Sequence, residues 1–199
     1  IYSRVSGVQI GSGWRSRITD PGSPVLEVPS EPLSWPISSL ERGSLGTQQV
    51  QTAELKGLYP QTAWAAHGNY GVDYDLTLPL KNAQNRAVTL EIALESPLKT
   101  DRPVGGLTFR KTNSGPVMFR GPLEVSGLHD RDGQSLGVQT IHLVLRQGQQ
   151  GPALGRITLG PGEQRDVSVR LIYPADATPP QVLTIQPVKQ STSSSVQIP

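Results

Sequence analysis

Val72-Asp73-Tyr74-Asp75-Leu76-Thr77-Leu78-Pro79-Leu80 and, a few residues on, Val88-Thr89-Leu90-Glu91-Ile92-Ala93-Leu94-Glu95 decide the fold. In the first run Val72, Tyr74, Leu76, Leu78 and Leu80 share one face, and Asp73, Asp75 and Thr77 share the other. A period of two with one apolar and one polar side is a half-buried strand. Pro79 has no amide proton to give a ladder, which places it at a sheet edge or a bulge. The second run alternates in the same way. The polar stretch Asn82-Ala83-Gln84-Asn85-Arg86 between them reads as the turn of an antiparallel hairpin.

The same pattern continues outward. Leu107–Arg110, Val117–Arg120, Leu123–Ser126, Gly137–Arg146, Leu154–Leu159, Arg165–Tyr173 and Gln181–Val188 are expected strands. The turns between them are Asn113-Ser114-Gly115-Pro116, His129 to Gln134 and Gly160-Pro161-Gly162. Thr62–His67 is the best helical candidate, and it is too short to matter. Residues 62–188 therefore hold roughly eight strands at the spacing of a sandwich. The expected fold class is all-β, an antiparallel β-sandwich of immunoglobulin-like or jelly-roll-like kind. Residues 1–61 are expected to form an N-terminal β-rich segment packing on it, with apolar stretches at Tyr2–Ile10, Trp14–Ile18, Pro24–Val28, Leu33–Ile37 and Gln48–Ala53. Residues 189–199 are a Ser-rich tail.

Composition narrows the function classes. The chain of 199 residues has 21 glycines and 18 prolines, which fall mostly between the alternating runs as punctuation. It has no cysteine, so disulfides and thiolate metal sites are excluded. No apolar run is long enough for a transmembrane helix. Eighteen basic residues against 16 acidic ones are scattered singly, with Arg110-Lys111 the sole adjacent basic pair, so nucleic acid is not an expected partner.

The three histidines, His67, His129 and His142, have no spacing that suits a metal. Asp73 and Asp75 share a strand face, as paired acid/base carboxylates would, and as any wet strand face does. Asp130-Arg131-Asp132-Gly133-Gln134 fails the calcium-loop pattern at its sixth and twelfth positions and reads as a turn. No residue is assigned a catalytic role, and no metal or cofactor is expected. The sharpest enzyme reading is a hydrolase that pairs His67 with Asp73 or Asp75. The possible binding surface is Trp14, Trp35, Trp64, His67, Asn69, Tyr70, Asp73 and Asp75, since aromatic rings with polar neighbours suit a sugar.

Three stretches carry a resemblance. They are Leu40-Glu41-Arg42-Gly43-Ser44-Leu45-Gly46-Thr47, Ala66-His67-Gly68-Asn69-Tyr70-Gly71 running on to Leu80, and Tyr173-Pro174-Ala175-Asp176-Ala177-Thr178-Pro179-Pro180. With Phe119-Arg120-Gly121 they are similar to a cyanobacterial family of uncharacterised proteins, over most of residues 1–188. The resemblance implies an exported protein of the periplasm, outer envelope or medium, of which this chain is the C-terminal half. It implies no catalytic residues. The glycine-bearing stretches either form an architectural joint or line a binding surface. The expected function is a non-catalytic structural, scaffolding or adhesive role toward an envelope protein or glycan. The alternative is a carbohydrate-binding module for exopolysaccharide or cell-wall glycan.

Overall fold

The computed structural model describes residues 7–8, 13–39, 44–48, 52–54, 57–62, 64–67, 69–102, 104–130, 132–174 and 176–188. Among them every regular element is a strand: β1 (Gly7–Val8), β2 (Gly13–Arg17), β3 (Leu26–Glu27), β4 (Leu33–Ser38), β5 (Thr52–Glu54), β6 (Gly57–Leu58), β7 (Ala65–His67), β8 (Asp73–Lys81), β9 (Val88–Glu95), β10 (Val117–Ser126), β11 (Gln139–Arg146), β12 (Ala153–Leu159), β13 (Gln164–Ile172) and β14 (Gln181–Pro187).

Two sheets make an all-β sandwich. One has the order β11-β10-β13-β8-β2, with β3 also on β8. The other has the order β12-β9-β14-β4. Two ribbons, β1 with β6 and β5 with β7, complete the described strands. The period-two faces build the core. Leu78, Leu80, Leu90, Ile92, Leu94, Leu123, Leu145, Leu159, Val167 and Val169 are all buried between the sheets. Each such aliphatic side chain contributes about 1.5–3 kcal/mol of burial. The polar partners Asp166, Ser168 and Arg170 of β13 face away from that core, as alternation requires.

The hairpin expected over residues 72–95 does not form. β8 pairs with β13, while β9 pairs with β12 and β14 in the opposite sheet. The polar stretch between them is a crossing from sheet to sheet. Asn82 holds it: fully buried, its Nδ2 donates to the carbonyls of Arg86 (2.8 Å), Leu159 (3.0 Å) and Gly160 (2.9 Å), and its Oδ1 accepts the Gln84 amide at 3.0 Å. Two further expectations change. Leu107–Arg110 is not a strand, since its amides and carbonyls make single bonds to the Leu98 and Gly148 loops rather than a ladder. Ala65–His67 is extended and pairs with Thr52–Glu54, so no helical turn forms there. The N-terminal strands β2, β3 and β4 are hydrogen-bonded members of the two sheets, and β2 and β3 run parallel to β8. The 189–199 tail lies outside the described residues.

Pro79 sits where its chemistry allows. Ile18 N–H bonds the Thr77 carbonyl and Val28 N–H bonds the Lys81 carbonyl, so odd-numbered residues of β8 address the β2/β3 side. β2 pairs only as far as Thr77 and β3 starts at Leu80. The missing donor of Pro79 falls in the gap between them.

Candidate functional site

The aromatic residues singled out by sequence divide into two kinds. Trp64 is 67% exposed and Tyr59 68% exposed. Trp14 is half exposed on β2, its ring 5.8 Å from that of buried Tyr74. Trp35 on β4 is partly buried and packs on the core. Tyr70 is also partly buried, its ring 5.7 Å from Tyr173.

The Asn69–Val72 stretch behaves as a joint. Asn69 Nδ2 donates to the Ile37 carbonyl at 3.0 Å and to the Tyr74 hydroxyl, and that hydroxyl donates to the same carbonyl at 2.6 Å. Gly71, at φ +76°, donates to the Tyr173 carbonyl, and the Tyr173 amide donates to the Val72 carbonyl. Ile37 belongs to one sheet and Tyr74 to the other, so the stretch ties the two layers. A second tie is the Tyr173 hydroxyl, which donates to Gln181 Oε1 on β14. Burial pushes the Tyr74 phenol up to about 12 and the Tyr173 phenol higher still, so both remain protonated donors. The Ser44 amide bonds Asp101 Oδ1, and the Leu45 amide bonds the Thr100 carbonyl.

The carboxylates of β8 are committed to arginines. Arg170 grips Asp73 with Nε at 3.1 Å and Nη2 at 2.8 Å, and this holds the Asp73 carboxyl below its usual range. Asp75 takes Arg15 Nε at 2.9 Å, and Asp166 takes Arg17. His67 lies on β7 opposite Thr52, and its side chain is outside the described residues. Among the described residues no three His, Asp or Glu side chains converge on a metal position. Asp130 uses Oδ1 to accept the amides of Asp132 (2.9 Å) and Gln134 (2.8 Å), which closes the expected turn.

Glu95 is the buried carboxyl. Thr184 Oγ1 donates to its Oε2 at 2.7 Å, but burial dominates and raises its pKa. The folded protein then keeps a proton that the unfolded chain has released. Stability is therefore unaffected below the ordinary carboxylate value and falls as pH rises toward the raised one. Glu95→Gln cannot lose that proton. It is expected to be more stable than the natural chain at neutral pH and equal to it below about pH 4, as urea midpoints at both pH values would show.

Two features escaped the sequence reading. The first is a hollow of about 620 Å³ on the outer face of the larger sheet, lined among others by Asp73, Arg120, Glu124, Thr140, His142 and Arg170. Only Asp73 was anticipated. The outward alternation of β10 and β11 was legible, but their pairing, Glu124 with Thr140 and Pro122 with His142, was not. The second is Gly133-Gln134-Ser135-Leu136-Gly137, which matches the serine-nucleophile spacing. That motif works at a strand-to-helix turn, whereas here it lies in the β10–β11 connection, and no helix follows. Ser135 Oγ accepts the Gly137 amide at 3.3 Å, and Ser135 meets His129 through a backbone bridge.

The edge of β11 completes the surface. Arg146 N–H goes to Gln149 Oε1 and Gln147 N–H to the Pro116 carbonyl of the β10 side. Odd residues of β11 therefore face β10, and the backbone groups of Thr140, His142 and Val144 face outward. Pro122, which has no N–H, sits opposite His142, as this phase requires.

No curated protein and no solved structure matches the chain. A family model described as "Protein of unknown function (DUF3370)" matches residues 1–187. With nearly its whole length matched, the chain belongs to the DUF3370 family of proteins of unknown function.

Proposed function

We propose that this chain is a non-catalytic protein exported to a cyanobacterial envelope, where it scaffolds or adheres by accepting a partner's strand on the free edge of β11. The setting comes from the resemblance of its sequence words, and the mode of action from one observation. β11 is an eight-residue edge strand with no Pro, Gly, Lys or carboxylate in it. Unpaired edges of this kind are templates for strand addition, and proteins normally blunt them. Among the described residues the other outer strands of the two large sheets are blunted: β2 is short and parallel, β4 contains Pro36, and β12 carries a register shift between Ala153 and Gly155. Val144 on β11 and Val138 just before it leave apolar side chains exposed. The carboxylates of a His67-based hydrolase, Asp73 and Asp75, are both taken by arginines, which favours the non-catalytic reading.

The carbohydrate-binding alternative draws on exposed Trp64 and Tyr59. Fractionation of the native cells tests the setting. The protein is expected in the envelope or the medium, and its recovery from the cytosol alone would overturn the proposal.

A further inference from the structure

The hollow on the outer face of the larger sheet has a floor and a rim of opposite character. Pro122, Ile172 and Pro174 supply apolar surface, and Ile172 is 61% exposed despite its size. Around them stand Arg120, Glu124, Thr140 and His142. Arg120 and Glu124 are held only by charge: Arg120 pairs loosely with Asp176, and Glu124 lies across the ladder from Arg170. Arg120 Nε is 3.9 Å from Asp176, beyond hydrogen-bond reach, and among the described residues Arg120, Glu124, Thr140 and His142 make no side-chain hydrogen bond. By contrast, Arg170 and Asp73 satisfy each other. The volume of about 620 Å³ falls within the range of small-ligand clefts.

We infer that this hollow binds an acidic oligosaccharide, a chain of pyranose rings bearing carboxylates. A pyranose has an apolar C–H face to lie on Pro122, Ile172 and Pro174. Its hydroxyl edge gives donors to Glu124 and both donors and acceptors to Thr140 and His142. The guanidinium of Arg120, 63% exposed and only loosely paired with Asp176, offers the two-pronged geometry that recognises a carboxylate. Arg120 and Glu124 are four residues apart on one strand, about 13 Å, so the two chemistries sit at opposite ends. The Glu124 carboxylate in the rim disfavours a purely anionic ligand such as phosphate. A peptide fits less well, because the face of a sheet has no free backbone groups to pair with its amides. None of the exposed tryptophans lines the hollow, so the site is separate from them.

Titration of the purified chain with trigalacturonate, cellotriose and triglutamate, followed by calorimetry and amide shifts, tests this. Saturable binding of trigalacturonate is expected, with cellotriose at least about tenfold weaker. Arg120→Ala should lose about tenfold, the value of one charge-assisted contact. Arg156→Ala, on the other sheet and paired with Glu91, should lose nothing. The inference is overturned by absent saturation, by equal affinity for cellotriose, by equal losses in both variants, or by triglutamate binding with the same Arg120 dependence. None of these variants touches the β11 backbone, so failure here leaves the strand-addition proposal standing.

Discussion

Gly127→Ala is expected to destabilise the protein by about 2–4 kcal/mol, a large share of the 5–15 kcal/mol that holds a domain together. Gly127 ends β10 at φ +85°, a left-handed conformation that costs an L-residue about 1 kcal/mol. A Cβ built there would lie 2.2 Å from the Asp166 carbonyl oxygen and 3.0 Å from Val167 Cα. Both belong to β13, the strand between β10 and β8, with Val167 fully buried. The obstacle is backbone in the middle of a sheet, so it cannot swing aside as a side chain would. Overpacking of this kind adds roughly 1–3 kcal/mol. Gly133→Ala separates the two terms. Gly133 has φ +79° and nothing within 4 Å of the added Cβ, so it should lose only about 1 kcal/mol. Denaturant unfolding of the pair checks this, and equal losses would contradict it.

Asn82→Ala comes next, at about 3 kcal/mol. The side chain serves three carbonyls and one amide at a crossing that water does not reach. Removing it leaves buried groups unpaired at roughly 1–3 kcal/mol for the set that cannot relax. Asn82→Asp is nearly isosteric, yet it turns an amide donor into a carboxylate aimed at three carbonyls. It should be at least as damaging as alanine near neutral pH. If Asn82→Asp were harmless in the same unfolding experiment, the donor role assigned to Nδ2 would be wrong.

The two sites also show what the sequence could and could not reveal. Alternation in Tyr74–Leu80 and in Leu90–Leu94 stated which side chains point inward, and each of those side chains is indeed buried. Alternation carries no record of which strand lies alongside. A five-residue polar loop looks the same whether it turns a strand back on itself or carries it to the other sheet. Asn82 decided the matter through three carbonyls, two of them nearly eighty residues away. The joint at Asn69 was partly legible, because its glycine marked a special backbone. Its bonds to Ile37 and Tyr173 were not. The outer-face hollow was illegible for the same reason. Arg120, Glu124 and His142 are unremarkable polar residues in alternating strands until the register of β10 with β11 gathers them.

Asp73 illustrates the reverse. Its spacing with Asp75 suggested acid/base chemistry, but Arg170 and Arg15 lie across the sheet and turn the pair into exposed ion pairs. Such pairs are worth at most about 1 kcal/mol each, so they organise the outer face more than they stabilise it.

The central claim is that β11 offers a backbone edge to a partner, and Val144 is the place to test it. Its N–H faces outward, so Val144→Pro removes an edge donor without breaking the β10 ladder, and proline is tolerated at such a position. Val144→Thr keeps the N–H and changes only the side chain. Each tagged variant would be returned to its native cells, and the protein that co-purifies would be measured. The account predicts that Val144→Thr retains the partner and Val144→Pro loses it about tenfold or more, with both variants folded by circular dichroism. Retention of the same partner by Val144→Pro would contradict it.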